Sequence, residues 1–214
     1  MPKFDHHLHT ARHSLDSVID PYALIERVRE IELDGLVITE HDFQWPAGEL
    51  AELAARASLL NVKVFSGAEI STREGHFLVY GLPDLKEARA GIALADLLTV
   101  VRWHNAAIVA AHPFRWDQDF EAIVAQHGAV FDALELVSNN VTPGTRRKTE
   151  QLLQKHPMGA TGSSDGHALE AIGCYYTEFP GTIATLADFV AALKRKEGRP
   201  RHRPGALQTS GPVD

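Results

Sequence analysis

Seven short apolar runs recur along the 214-residue chain, most of them separated by longer amphipathic stretches, and this alternation limits the fold more than any other feature. Lys3 to His9, Gly35 to Thr39, Val62 to Ala68, Phe77 to Tyr80, Ala107 to Ala111, Ala133 to Val137 and Met158 to Gly162 have the length and composition of strands. Pro21 to Leu33, Ala47 to Leu60, Leu94 to Asn105, Gln118 to His127, Thr145 to His156 and Thr182 to Lys196 read as helices. Asp20 and Pro21 suit an N-cap and a first helical position, because proline lacks only an N–H that would be unpaired there. Strand and helix in alternation imply parallel strands with helices packed outside them. About seven such units favour an α/β barrel over an open sheet. No fixed-period repeat is present, which excludes a solenoid or propeller. From Gly198 the sequence "GRPRHRPGALQTSGPVD" is nearly devoid of apolar residues, so a single domain over 1–197 and a flexible tail over 198–214 are expected.

The formal charge of -7 disfavours binding to long nucleic acid or to anionic membranes, while leaving room for a small phosphorylated ligand in a locally positive pocket. The single cysteine, Cys174, cannot form an internal disulfide, and no apolar run approaches the roughly 18 residues of a membrane span. The first ten residues are polar and His-rich, unlike a secretory signal, so a cytoplasmic protein is expected.

Histidine placement carries the functional signal. In the strand containing "DHHLHT", Asp5, His7 and His9 share one face, while Phe4, His6 and Leu8 share the other. His6 is therefore expected to be a packed or rim histidine and not a ligand. Glu40, His41, Glu69, His112, Glu135, Asp165 and His167 each fall in or at the C-terminal end of an apolar run, the end where α/β barrels collect their chemistry. His76 precedes its run, but only six residues separate it from Glu69, too few for a parallel crossover. The two runs must pair as an antiparallel hairpin, which brings His76 to the same rim. His13, His127, His156 and His202 fall in loops or at helix ends and are expected to be solvated. His104 and the Arg146–Lys148 charge run suit a helix surface, and Asn139 and Asn140 suit a turn.

With these residues assembled, the sequence resembles the PHP (polymerase and histidinol phosphatase) family of metal-dependent phosphoesterases, and most closely its small stand-alone members. The matching stretches are "DHHLHT", "HSLDS", "ITEHD", "GAEIS", "GHFLVYG", "AAHPFR", "ALELVSNN" and "GSSDGH", in the family's order, from residue 5 to 167. The resemblance implies a distorted (β/α)7 barrel holding two or three divalent ions. It assigns His7, His9 and Asp165 to one ion, with Glu69 bridging to a second that also takes His76 and His112. A third would use Asp16, His41 and His167. The chain departs from the family in carrying Glu40 where Asp is frequent, and Asp16 where several members have His.

Imidazole and carboxylate donors suit Zn, Mn or Fe. Three such ions facing Asp16, Glu69, Asp165 and a hydroxide leave about two positive charges uncompensated, which suits a phosphate dianion better than a neutral amide. Hydrolysis of a small phosphomonoester or phosphodiester by metal-activated hydroxide is therefore expected, on a nucleotide, a short oligonucleotide or a histidinol-phosphate-like compound. Glu69 and Asp165 would hold the reacting centre, Arg115 and Arg12 are candidates for the phosphate oxygens, and Asp5 is a candidate for orienting a histidine. Two rivals use the same residues: an amidohydrolase-like C–N hydrolase and a non-catalytic metal-binding module.

Overall fold

Every residue of Gly35–Ile38 and of Ala107–Ala110 is buried, as in strands covered on both faces. They form β2 and β6 in a computed structural model that describes residues 1–204. The other strands are β1 (Lys3–Asp5), β3 (Lys63–Ser66), β4 (Ala68–Ser71), β5 (His76–Tyr80), β7 (Ala133–Val137), β8 (Gly159–Gly162), β9 (Tyr175–Glu178) and β10 (Arg199–His202). The helices are α1 (Pro21–Glu30), α2 (Ala47–Ser58), α3 (Leu94–Trp103), α4 (Phe120–His127), α5 (Pro143–Lys155) and α6 (Leu186–Lys194). The Asp20 carboxylate caps α1 by accepting from the Tyr22 and Ala23 amides at 2.9 Å each, as its sequence predicts.

The strands divide into two five-stranded sheets, ordered β10-β9-β1-β2-β3 and β4-β5-β6-β7-β8. The expected distorted (β/α)7 barrel does not close as one continuous sheet among the described residues. Where β2 and β4 meet, pairing shrinks to the single bridge His41–Glu69, and where β1 meets the segment after β8 it shrinks to Leu8–Gly166. Nor are all strands parallel. β4 and β5 form the antiparallel hairpin expected from the Glu69–His76 spacing, with Glu69 opposite Leu78 and Ser71 opposite His76. Gly75 turns that hairpin at φ +147°. β5 is also antiparallel to β6, and β9 to both β1 and β10.

β10 corrects the expectation of a loose tail from residue 198. Arg199–His202 pair along their whole length with β9, leaving Pro200 on an edge strand where its missing N–H is tolerated. Its stability comes from main-chain pairing, which leaves no hydrophobic trace in "RPRH". The remainder of the expected tail, 205–214, lies outside the described residues.

Three apolar layers hold these sheets. α1 and α2 pack on the outside of the first sheet through Leu24, Ile25, Val28 and Leu53, and α3, α4 and α5 cover the second through Leu97, Leu98, Ile123 and Leu152. Between the sheets lie Phe4 and Val37 from one, Leu78 and Val109 from the other, and Phe189 and Leu193 of α6. Burying an aromatic such as Phe189 contributes roughly 1.5–3 kcal/mol, more than helix propensity alone could supply to nine residues. α6 thereby closes the end where β6 begins, and Lys194 Nζ donates to the carbonyls of Asn105 and Ala106 there. Gly35, on β2 between β1 and β3, leaves room for the Phe4 ring to lie against the strand, since a Cβ there would sit 2.4 Å from that ring and 2.7 Å from the Lys63 carbonyl. The opposite end, at the C-terminal tips of β1, β2, β6 and β8, is left to polar residues. No helix among the described residues is long and apolar enough to cross a membrane.

Candidate metal centre

Glu69 is 1% exposed and stands at the centre of the polar end. Its Oε2 lies 3.3 Å from His7 Nε2, 3.3 Å from His9 Nε2 and 3.0 Å from His41 Nδ1. Its Oε1 lies 3.0 Å from His76 Nδ1 and 3.2 Å from His112 Nε2. Asp165 faces the same imidazoles, with Oδ1 3.2 Å from His7 Nε2 and 3.4 Å from His9 Nε2, and Oδ2 3.9 Å from His112 Nε2. At the outer edge, Asp16 Oδ2 is 3.1 Å from His41 Nε2 and 3.2 Å from His167 Nε2. The His9 ring is stacked between those of His41 and His167, at 4.1 and 4.4 Å. All nine side chains assigned by the resemblance thus meet in one cup.

The donors group as an ion would require. His7, His9 and Glu69 form one set with ligand atoms within 4.8 Å of one another, and His7, His112 and Asp165, Glu69, His76 and His112, and His9, His41 and His167 form three more. In the outermost set His9 takes the place expected for Asp16, which is half exposed and faces the other two histidines from outside. His7 Nε2, both nitrogens of His9 and Glu69 Oε2 are buried yet have no hydrogen-bond partner. Unpaired buried polar atoms are costly, and here they point toward shared centres instead of along N–H···O lines. That arrangement, with its nitrogen and oxygen donors, fits divalent ions. Cys174, the one thiol, is buried, turned to Asn139 Oδ1 at 3.5 Å and raised by burial to about 12.

In the ion-free protein these groups hold each other's charge. Burial alone would push the His7 imidazole down, but Asp165, Glu135 and Glu69 hold it well above its usual range. Burial would raise the Glu69 and Asp165 carboxyls, yet His7 and its neighbours keep both well below theirs. A cation at the centre would take over the charge those imidazoles supply.

Several residues named from the sequence lie behind the cup. Glu135 is not among the converging donors: its Oε1 faces His7 Nδ1 at 3.0 Å and accepts from Ser163 Oγ, and its Oε2 accepts the His112 amide at 2.8 Å. Glu40 likewise turns inward, accepting from Thr10 N and Oγ1, Ser14 Oγ and Trp45 Nε1 at 2.6–3.0 Å. It fixes the loop carrying Asp16 and has no free lone pair directed at the cup. Asp5, expected to orient a histidine, accepts from the Ser164 and Gly173 amides at 2.9 Å each and so anchors the loop that bears Asp165. His6 is wholly buried, with Nδ1 2.8 Å from Tyr80 Oη and Nε2 3.1 Å from Thr177 Oγ1, so it is packed and not on the rim.

Asn139 and Asn140 do more than form a turn. Asn139 Nδ2 donates to the Ser164 carbonyl at 2.7 Å, and Asn140 Nδ2 donates to Asp165 Oδ2. Their position after β7, opposite the Asp165 loop, is visible only once the sheet order is known. His13, expected in solvent, stacks on Phe43 at 4.3 Å. Arg12 Nε bonds Glu49 Oε2 at 3.0 Å on the surface. Arg115 has no such carboxylate, and its buried Nε lacks a partner.

A two-sheet α/β scaffold whose strand ends gather histidines and carboxylates into one metal-fitting cup is the class of protein these observations define. Residues 143–197 match the PHP-associated (PHP_C) family. The fold is shared by PsfC from Pseudomonas syringae, at a TM-score of 0.68 and 19% identity over 95% of this chain and 92% of that one. An amidohydrolase from Chromobacterium violaceum with bound sulfate and no metal aligns at 0.66 and 17% identity, over 89% and 96%. A protein from Bifidobacterium adolescentis, provisionally assigned as a metal-dependent phosphoesterase, aligns at 0.61 and 16% identity, over 89% and 96%. No curated protein matches the chain in sequence. The PHP-associated match over residues 143–197 agrees with the resemblance carried by the stretches between residues 5 and 167.

Proposed function

We propose that this chain is a metal-dependent phosphoesterase acting on a small phosphomonoester or phosphodiester. The observation that carries the reading is the Glu69 carboxylate, ringed by five imidazole nitrogens at 3.0–3.3 Å with Asp165 beside it. His7, His9, Glu69 and Asp165 would hold one ion, Glu69, His76 and His112 a second, and His41 and His167 a third with His9 or Asp16. Divalent Zn, Mn or Fe held there supplies Lewis acidity and lowers the pKa of bound water toward neutrality.

The chain's own residues supply the rest. Glu69 and Asp165, both buried, hold the reacting centre. Arg115 is the residue for the phosphate oxygens, because it sits next to the cup and has no carboxylate of its own. Arg12 is already neutralised by Glu49, and we assign it no substrate contact. The formal charge of -7 favours a small phosphorylated substrate over long nucleic acid. The amidohydrolase from Chromobacterium violaceum supports a second reading, C–N bond hydrolysis in the same cup.

A panel of nucleotides, sugar phosphates and amino-alcohol phosphates, run beside amides and lactams on metal-loaded protein, separates the two. Metal-dependent phosphate release is the expected result; turnover of amides or lactams alone would replace this reading with the second.

A further inference from the structure

The segment after β6 is bent in a way its residues resist. His112, Phe114, Trp116 and Asp117 have φ of +28°, +67°, +52° and +56°, the left-handed region that non-glycine residues avoid and that clusters at functional sites. The bend separates two aromatics of opposite fate. Phe114 enters the apolar layer under α4, edge to Phe120 at 5.9 Å, while Trp116 is turned out and left 64% exposed. The exposed indole stands against the cup: its ring centre lies 5.2 Å from that of His76 and 5.6 Å from that of His112, edge-on to both. The Arg115 guanidinium lies over it at 4.1 Å, with Nε buried and unpartnered. Trp103 is more exposed still, at 83%, but has no ring contact with the cup, so exposure alone does not single out Trp116.

We propose that Trp116 and Arg115 form a specificity subsite that receives a planar aromatic or heteroaromatic group attached close to the substrate phosphorus. This rests on the phosphoesterase reading. A phosphate bound at the Glu69–His76–His112 side of the cup must lay its organic portion along the neighbouring indole. A flat ring gains stacking overlap there and gives up little hydration. A glycerol or sugar chain gains no such overlap and must bring hydroxyls against an apolar face that offers no acceptor. Arg115 keeps its N–H groups for phosphate oxygens while its plane steadies the indole, so one loop reads both the charge and the ring.

The test is the affinity of metal-loaded protein for two phosphonates of similar charge, phenylphosphonate and methylphosphonate, measured by calorimetry. Wild type is expected to bind the phenyl compound about five-fold tighter or more. Trp116→Ala should abolish that preference by weakening phenylphosphonate several-fold more than methylphosphonate, Trp116→Phe should keep most of it, and Trp103→Ala should change neither. Absence of a preference in wild type, or equal weakening of both ligands by Trp116→Ala, overturns the subsite while phosphate-ester hydrolysis still upholds the phosphoesterase reading. If neither phosphonate binds and no phosphate ester is hydrolysed, both fall together.

Discussion

His7 Nδ1 lies 3.0 Å from Glu135 Oε1, and the other oxygen of that carboxylate accepts the His112 amide at 2.8 Å. One buried group therefore fixes two strands' worth of the cup. With a cation bound it would set the His7 tautomer, keeping the proton on Nδ1 and leaving the Nε2 lone pair for the ion that Glu69 and Asp165 also face. It also holds the backbone of His112 in its left-handed conformation. Glu135→Ala is expected to lower metal affinity about 10- to 100-fold, as loss of such partners typically does. Glu135→Gln, which keeps an acceptor for either donor, should recover part of it. Chelator competition followed by metal analysis checks both variants, and equal affinity of Glu135→Ala and wild type would remove Glu135 from this role.

Asp165 and His6 separate metal binding from folding. Asp165 faces His7 and His9 with one oxygen and His112 with the other, so Asp165→Ala should lose bound metal and phosphate release together. His6 faces away, bonded to Tyr80 and Thr177 inside the apolar layer. His6→Ala should keep its metal content but lose about 1–3 kcal/mol of stability, because the Tyr80 and Thr177 hydroxyls are left underpaired. Elemental analysis beside urea unfolding of the two variants gives the comparison.

The convergence of the cup was accessible from sequence because strand ends are marked by where apolar runs stop, and period-two alternation gives the face. It told His7 and His9 from His6, and the short Glu69–His76 spacing forced the hairpin that exists. Other features left no such mark. The breaks at His41–Glu69 and Leu8–Gly166 depend on twist and register between distant strands. β9 and β10, "YYTE" and "RPRH", are held by main-chain pairing and lack an apolar run. Glu40 and Glu135 occupy strand positions like those of true rim residues, and only the hydrogen bonds that saturate them show that they stand behind the cup.

Burial lowers the His6 imidazole to about 4, with Glu135 opposing and His7 reinforcing the shift. The folded state therefore holds His6 neutral where the unfolded chain, at about 6.5, takes up a proton. Stability from this group is complete above pH 6.5 and is lost as the pH falls through the window down to about 4, to a total of about 3 kcal/mol. In metal-free protein, His6→Gln should flatten the fall in unfolding free energy between pH 7 and pH 5 relative to wild type. Parallel pH profiles for the two proteins would show that His6 does not titrate this way.

Arg115 and Arg12 divide on whether their charge is already spent. Arg12 is more than half exposed and bonded to Glu49, a surface pair of the kind worth about 0–1 kcal/mol, and its charge is neutralised locally. Arg115 has no acid against it, a buried Nε without a partner, and the Trp116 ring for support beside the cup. A charge-assisted bond to a phosphate oxygen contributes about 1.5–3 kcal/mol, so Arg115→Ala should raise KM for a phosphate ester roughly 10- to 100-fold. Arg115→Lys should restore only part of this, since an ammonium cannot reproduce the planar fork or its stacking on Trp116. Arg12→Ala should leave KM within about two-fold of wild type on the same argument. Steady-state kinetics on the best ester from the panel decide it: a large KM effect at Arg12 with none at Arg115 would move the phosphate to the other side of the cup, next to Asp16.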